Sequence, residues 1–112
     1  MTDFIRVDTM RAEWLPTSTP GVTFQSLRYD RETKAGAVVI KMEPGTSYPA
    51  HEHTKGEDVY IVEGELIVGA ERFPKGAYLY SPPGSIHAPR TEKGCVLFST
   101  FPGKIDHAPG KR

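Results

Sequence analysis

The chain has 112 residues, of which 38% are hydrophobic and 25% are charged, so it has room for one domain with a modest core. Lysine and arginine together number 14, as do aspartate and glutamate, and this zero net charge gives no support for binding to nucleic acid or to an anionic membrane surface. The single cysteine, Cys95, cannot form an internal disulfide, and no apolar run resembles a signal peptide or a bilayer span. We therefore expect one cytoplasmic domain with no membrane contact.

Eleven glycines and ten prolines interrupt the chain every few residues, which favours many short strands over long helices. Residues 1–21 mix apolar and charged side chains at no regular period and break at Pro16 and Pro20, so we predict an N-terminal arm. The pattern leaves open whether the arm lies across the domain itself or across a neighbouring subunit. Residues 22–103 then form the main domain, and residues 104–112 form a solvated tail.

Short apolar or alternating runs predict the strands of the main domain. Val38, Ile40 and Met42 share one face of the second run, which predicts an apolar inward face. Gly64 is interpreted as a tight turn and residues 70–75 as a hairpin-like connection. Many short antiparallel strands with polar residues inside indicate a closed barrel or jelly roll. Besides a metal-binding strand after the turn at Pro44 and Gly45, the predicted strands are 22–29, 35–43, 57–63, 65–69, 76–81, 86–90 and 95–101.

The most informative stretch contains His51, His53 and Glu57, placed between Gly45 and Gly64. Side chains two residues apart on an extended strand point to the same face, so the two imidazoles can converge on one point. Glu57 has the same parity as the histidines. We therefore expect three side chains of this stretch to meet.

A second segment with several glycines and prolines, residues 76–91, contributes one more histidine. A lone histidine is usually exposed or hydrogen-bonded, and this is our interpretation of His107. Three histidines and one carboxylate in the present pattern instead indicate a metal site. Its predicted ligands are His51, His53, Glu57 and His87.

Neutral imidazoles and one carboxylate suit a divalent first-row transition metal, because calcium and magnesium prefer shells made only of oxygen. Iron(II), zinc, manganese, nickel and copper all fit this donor set. A six-coordinate ion keeps two positions for water, dioxygen or a chelating substrate, which would serve the oxidative cleavage of a diketone or hydroxyketone. The four ligands would instead close the shell of a tetrahedral zinc ion, whose site would be structural or sensory.

The other candidate residues have simpler interpretations. Cys95 lies in an apolar run and is interpreted as a buried hydrophobic residue rather than a nucleophile. Arg90 differs in parity from His87, which favours a surface position over anion binding. Core packing is also favoured for the side chains that could wall a cavity around the metal, namely Phe24, Met42, Tyr48, Ile61, Tyr78, Tyr80, Leu97 and Phe98.

These motifs resemble those of the cupins, a superfamily of small β-barrels. The first cupin signature is a glycine, five residues, His-x-His, three or four residues, a glutamate, six residues and a glycine. It is matched at every fixed position by Gly45, His51, His53, Glu57 and Gly64. The second signature is matched by Gly76, Pro82, Gly84 and His87, while Thr91 stands where asparagine is usual. The resemblance implies an all-β, single-domain, double-stranded β-helix or jelly-roll barrel with a metal inside.

A narrower resemblance, to the ChrR-type cupins, covers nearly the whole chain. That group includes the C-terminal domain of an anti-sigma factor and acetylacetone or dihydroxyacetophenone dioxygenases. The anti-sigma members carry a helical domain with its own zinc site ahead of the cupin, for which 112 residues leave no room. The resemblance therefore implies the barrel and its metal rather than sigma-factor control. The matching residues are Trp14, Pro16, Pro20, Gly21, Val22, Gly56, Glu57, Pro82, Pro83, Gly84, Ser85, His87, Gly94 and Cys95.

Together, the site and the resemblance lead to one functional hypothesis: a mononuclear non-haem metal dioxygenase-like enzyme acting on a small carbonyl compound. Two alternatives stay open, a non-catalytic metal-binding sensor or regulatory module and a metal-dependent isomerase or lyase. The apolar residues of the arm and the habit of cupins to pair predict a homodimer. The expected partners are a second copy of the chain and a small-molecule ligand.

Overall fold

The computed structural model describes residues 3–107 and, within them, the side chains of residues 3–105. Its secondary structure is entirely β, which confirms the predicted fold class. No helix among the described residues could cross a membrane. The strands are β1 (Leu15–Pro16), β2 (Val22–Tyr29), β3 (Gly36–Met42), β4 (His51–His53), β5 (Glu57–Val68), β6 (Glu71–Pro74), β7 (Tyr78–Ser81), β8 (Ser85–His87), β9 (Cys95–Phe101) and β10 (Ile105–His107).

The strands form two antiparallel sheets, which we call the large and the small sheet. The large sheet has the order β1-β2-β3-β9-β5-β6, and β7 pairs with the first part of β5. The small sheet has the order β10-β4-β8. Two isolated β-bridges join Arg90, which follows β8, to Ser47, which precedes β4, and to Ile67 of β5. The small sheet thereby positions the histidine pair of β4 opposite the large sheet.

Alternation along the strands of the large sheet builds the core. Val59 and Ile61 of β5 are buried at 5% and 0% exposure, whereas Tyr60 between them is 47% exposed. The inward face of β3 is apolar as predicted, since Met42 belongs to the core and Ile40 packs against it. The buried core cluster consists of Val22, Met42, Val59, Ile61, Leu66, Cys95 and Leu97.

The prediction of a turn at Gly64 is wrong, because β5 continues through it to Val68. Gly64 has a φ of 76°, and its pairing partner in β9 is Cys95. A Cβ atom at Gly64 would collide with the carbonyl oxygen of Gly94, so this position needs glycine for a close approach of two backbones. The predicted hairpin-like connection at residues 70–75 contains the strand β6, which pairs antiparallel with the end of β5.

The N-terminal arm lies across the outer face of its own barrel. The Gln25 side chain donates hydrogen bonds from Nε2 to the carbonyl oxygens of Thr9 and Ala12, at 2.9 and 3.0 Å. Trp14 lies under the ammonium group of Lys41, 5.6 Å from Nζ to the ring centroid. Strand β1 then pairs with β2. These contacts hold the arm against its own barrel.

The segment after Gly103 differs from the predicted solvated tail. Residues 105–107 form β10, which pairs along the whole of β4, with Ile105 opposite His53 and His107 opposite His51. Residues 108–112, the rest of that predicted tail, lie outside the described residues. The backbone pairing with β4 holds residues 105–107 in a strand, which the composition of this segment does not predict.

Candidate metal centre

His51 and His53 occupy the two ends of β4 and point to the same face, as their spacing predicts. Both are buried, at 7% and 2% exposure, and their ring centroids lie 4.5 Å apart. Short strands on either side hold β4, because β10 and β8 both pair with all of its residues. The two imidazoles are therefore fixed by the backbone of the small sheet.

Backbone carbonyl groups set the proton positions of both rings. His51 Nδ1 lies 3.0 Å from the carbonyl oxygen of Pro49, and His53 Nδ1 lies 3.2 Å from that of Ser85. A carbonyl oxygen only accepts, so each Nδ1 carries the proton and donates it. The Nε2 atom of a neutral ring then keeps its lone pair, which is the form and orientation that a metal ligand needs.

Glu57 joins the histidines by a different route from the predicted one. Equal parity brings side chains together only along one extended strand, whereas here the chain turns after His53. Gly56 has a φ of 92°, and its N–H donates to the His53 carbonyl oxygen at 3.1 Å. Glu57 is the first residue of β5 and belongs to the large sheet. Its carboxylate thus meets the histidines across the barrel rather than along a strand.

The Glu57 carboxylate is held on both of its oxygens. Oε1 lies 2.8 Å from His53 Nε2, and Oε2 accepts a hydrogen bond from the hydroxyl of Ser99. Glu57 is 8% exposed and Ser99 is completely buried. Both groups therefore sit in a water-poor environment, where their mutual orientation is restricted.

The donor set fits a metal ion. One ligand atom each from His51, His53 and Glu57 can be chosen so that all lie within 4.8 Å of one another. The lone pair of His53 Nε2 and the Glu57 carboxylate face each other, and two acceptors at this distance require a positive charge, either a proton or a metal ion.

His87 lies in the same region but outside this tight group of three. It belongs to β8, pairs with His51 in register, and has its ring centroid 5.5 Å from that of His53. Burial, with a smaller contribution from His53, lowers the pKa of His87 below its usual value, although Glu57 opposes the shift. The ring is therefore neutral at pH 7, the form that binds metals.

Two cavities adjoin these side chains. A narrow cavity of about 60 Å³ touches all of the predicted ligands, and a wide cavity of about 350 Å³ touches His51 and Glu57. Among the proposed wall residues, Met42, Tyr48 and Leu97 line the narrow cavity, and Phe24 and Tyr48 line the wide one. Ile61 belongs to the core, whereas Tyr78, Tyr80 and Phe98 are exposed.

The structure also places the other side chains that the sequence singled out. Arg90 is exposed and hydrogen-bonds to Glu92 at 3.4 Å, as its parity predicts. Cys95 is buried, and burial raises the pKa of its thiol to about 11. Thr91 stands where cupins usually have asparagine, and its hydroxyl donates a hydrogen bond to the backbone carbonyl oxygen of Glu65 at 2.7 Å.

Ser99 is the residue of the site that sequence reasoning missed. A serine in an apolar run belongs to no metal-binding motif, and the predicted set of four ligands gives no reason to expect a further residue. A signal was present in the parity of β9, because Ser99 shares the inward face with Cys95 and Leu97. A polar residue on an inward face needs a partner, and Glu57 provides it.

Antiparallel strands closed around an inward group of two histidines and a glutamate define a small single-domain cupin barrel. The match to a known family covers most of the chain. Residues 2–103 match the model of the ChrR Cupin-like domain, and the chain belongs to this family.

Individual relatives are more distant. The chain is 32% identical over 87 residues to the DNA damage-repair/toleration protein DRT102 of Arabidopsis thaliana, a match to 72% of this chain and 28% of that protein. Its structure is similar to an acetylacetone dioxygenase from Acinetobacter johnsonii, with a TM-score of 0.83, 16% identity and coverage of 98% of this chain and 80% of that one. It is also similar to a chain of the Rhodobacter sphaeroides complex of SigE with the anti-sigma ChrR, with a TM-score of 0.71, 22% identity and coverage of 81% and 50%.

Proposed function

We propose that the protein binds one divalent transition-metal ion through His51, His53, Glu57 and His87, and that it oxygenates a small diketone or hydroxyketone at this ion. The observation that carries the proposal is the convergence of three buried donors beside a cavity large enough for an organic ligand. Iron(II), zinc, manganese, nickel and copper all fit nitrogen and carboxylate donors, and oxygenation favours iron(II) among them.

The metal, when bound, would supply open coordination positions at which a chelating substrate and dioxygen can meet. The contribution of the chain is to orient the donors. The carbonyl groups of Pro49 and Ser85 keep Nε2 of both β4 histidines free of a proton, and Ser99 fixes the Glu57 carboxylate. Apolar side chains on the walls of both cavities exclude bulk water from the donors.

His87 completes the proposed ligand set from the second strand of the small sheet. Its pairing with His51 places it on the same wall of the barrel, and its neutral ring can turn toward the donors because it is only half-buried. Four protein ligands on a six-coordinate ion would leave two positions for ligands from solution. Four ligands on a tetrahedral zinc ion would leave none.

A sensor or regulatory function is the second candidate, and the family match favours it. The chain belongs to the ChrR Cupin-like family, and a similar solved chain is part of a complex of SigE with the anti-sigma ChrR. A closed zinc shell would suit that function because its loss or gain changes stability rather than chemistry. The likeness to the Acinetobacter johnsonii dioxygenase supports the catalytic alternative through the fold.

Anaerobic titration separates the two candidates. Protein loaded with iron(II) to a measured stoichiometry is titrated with acetylacetone and with a hydroxyacetophenone, and oxygen is then admitted. The enzyme hypothesis expects a change in the visible absorption of the iron on ligand binding, followed by oxygen uptake. An unchanged spectrum with every ligand, in fully loaded protein, would favour the sensor.

We also propose that two copies of the chain pair through the outer face of the large sheet. Phe98, Tyr60 and Tyr78 lie side by side in register on adjacent strands of this face, at 37%, 47% and 60% exposure. The arm covers the other end of the same row at Gln25, and it exposes Phe4 and Ile5 at 66% and 70%. Each copy presents the same apolar face and the same apolar arm, so two copies can pair through identical surfaces.

A further inference from the structure

The narrow and wide cavities meet at one short boundary. Ile40, Tyr48, His51 and Glu57 line both of them, and every other wall residue belongs to one cavity only. A cavity needs about 10–15 Å³ of such space to hold one water molecule, so about 60 Å³ in the narrow cavity suits a few water-sized molecules. The wide cavity, at about 350 Å³, falls within the range of about 300–1,000 Å³ that is typical of organic-ligand sites.

The wall chemistry of the wide cavity limits what it can hold. The hydroxyl of Thr17 is already used, since it donates to the carbonyl oxygens of Val22 and Thr19 at 2.8 and 3.1 Å. The polar side chains at the boundary are Tyr48, His51 and Glu57. No lysine or arginine lines the cavity among the described residues, so a phosphate or a carboxylate would have no counter-charge. The remaining wall is apolar and consists of Val22, Phe24, Val38, Ile40, Phe101 and Ile105.

Tyr48 is the one hydroxyl at this boundary. Its ring stands edge-on to His51, with 5.4 Å between the centroids. Among the described residues, its hydroxyl forms no hydrogen bond with the protein, although the residue is largely buried. A tyrosine hydroxyl can donate a hydrogen bond to a ligand oxygen.

We propose that the wide cavity holds the organic ligand and that Tyr48 donates a hydrogen bond to a ligand oxygen at the boundary, while the narrow cavity admits only water-sized molecules. The matching ligand is a neutral compound with two oxygen donors at one end and an apolar body the size of an aromatic ring at the other. This assignment rests on the proposed metal function, which supplies the reason for two oxygens at the boundary. Phe24 and Phe101 are the aromatic wall residues that a ring would contact.

The test compares two ligands that differ only in their apolar end. Protein loaded with iron(II) is titrated by calorimetry, under anaerobic conditions so that no oxygen can react, with acetylacetone and with 1-phenyl-1,3-butanedione. We expect the phenyl compound to bind about tenfold more tightly, because the ring buries additional apolar surface. Equal affinity for the two ligands would show that the wide cavity does not take the apolar end.

Val38 and Val39 provide a matched pair of variants. Val38 lines only the wide cavity, whereas Val39 follows it on the same strand and therefore points to the outer face. Val38→Phe should abolish the preference for the phenyl compound and change acetylacetone affinity less than twofold. Val39→Phe should leave the preference intact. Val38→Met, which intrudes less, replaces Val38→Phe if that variant unfolds at a lower temperature.

Tyr48→Phe tests the hydrogen bond separately from the cavity. One lost neutral hydrogen bond should weaken the binding of both diketones by about 3- to 10-fold, with an unchanged iron content. Unchanged affinities would remove Tyr48 from the proposal, and a phenyl preference that survives in both Val38 variants would overturn the cavity assignment. Iron-loaded protein that binds neither diketone would overturn both.

The outcome is independent of catalysis. A phenyl preference that Val38→Phe abolishes would support the cavity assignment even if the iron-loaded protein consumed no oxygen. If the protein took up no iron, the metal proposal would fail by itself. The same titrations on metal-free protein would then decide whether the wide cavity binds the aromatic ring.

Discussion

The hydroxyl of Ser99 donates a hydrogen bond to Glu57, which lies 42 residues earlier in the chain. The bond joins β9 to the first residue of β5 and leaves the other carboxylate oxygen facing His53 at 2.8 Å. One strand of the large sheet thereby determines how a carboxylate of another strand meets the small sheet. In a metal centre, a hydrogen bond of this kind fixes the orientation of a ligand.

We expect Ser99→Ala to weaken metal binding by about 10- to 100-fold, because the carboxylate loses the donor that orients it. Competition with a coloured chelator measures the affinity. Ser81→Ala is the control, since Ser81 is also buried and lines the narrow cavity, and among the described residues its hydroxyl forms no hydrogen bond to Glu57. If both variants bound metal like the wild type, Ser99 would have no orienting role.

The four proposed ligands should differ in their importance. His51→Ala and His53→Ala should each remove most of the bound metal, because these buried rings belong to the tight group of three donors. Glu57→Gln should weaken binding less, since an amide oxygen can still bind a cation. Metal content after desalting is measured by elemental analysis.

His87→Ala decides whether the fourth histidine binds the ion. We expect it to lower the metal content, although less than the two β4 variants, because the ring lies outside the tight group. Glu52→Ala is the control, since Glu52 lies between the β4 histidines and points to the opposite face. Wild-type stoichiometry in all three histidine variants would rule out the proposed site.

The thiol of Cys95 should be inert in the folded protein at pH 8. Its pKa of about 11 and its 4% exposure keep the thiolate population negligible and block access to reagents. Iodoacetamide should therefore label the protein only after unfolding, which mass spectrometry detects. The sign of the pH effect follows from the raised pKa, because the folded state keeps a proton that the unfolded state loses.

Stability should accordingly fall as the pH rises from about 9 toward about 11, the range between the ordinary thiol pKa of 9.0 and the raised pKa. Cys95→Ala should flatten this decrease, since it removes the group that titrates. Thermal unfolding of both proteins across this pH range measures the difference. Parallel decreases in the two proteins would contradict the assignment to Cys95.

The proposed pairing of two copies is tested on the outer face of the large sheet. Tyr60→Lys should shift the protein toward the monomer, because it places a charge in the middle of the row of Phe98, Tyr60 and Tyr78. Sedimentation at micromolar concentration measures the state. Tyr29→Lys is the matched control, since Tyr29 is 54% exposed outside this row.

Removing residues 1–13 should have the same effect if the arm contributes to the interface. The deletion also frees Gln25, whose amide holds the arm at Thr9 and Ala12, so its fold is checked by thermal unfolding. A wild-type protein that sediments as a monomer would contradict the pairing.

Much of the secondary structure could be predicted, because the alternation of side chains along a strand depends only on neighbours in the sequence. The alternation of β2, β3 and β9 and the shared face of His51 and His53 follow from the period of a strand. Contacts between distant segments carry no such signal. The approach of Gly64 to Gly94 turned an expected turn into continuous strand.

The same distinction explains the errors at the site. Glu57 reaches the histidines because the chain turns after β4 and crosses to the other sheet, which a parity count cannot represent. Ser99 was missed because its importance depends on the group it faces and not on its neighbours in the chain. The identity of the donors was therefore easier to predict than the contacts that orient them.

The pairing of β10 with β4 gives residues far from the ligands an influence on them. β4 has only 3 residues, and β10 provides one of its two neighbouring strands. A change that weakens β10 would shift the backbone of His51 and His53 while leaving every donor atom in the sequence. Related barrels could in this way diverge in metal affinity, or in the metal they select, by varying the segment after Gly103 and keeping an identical signature.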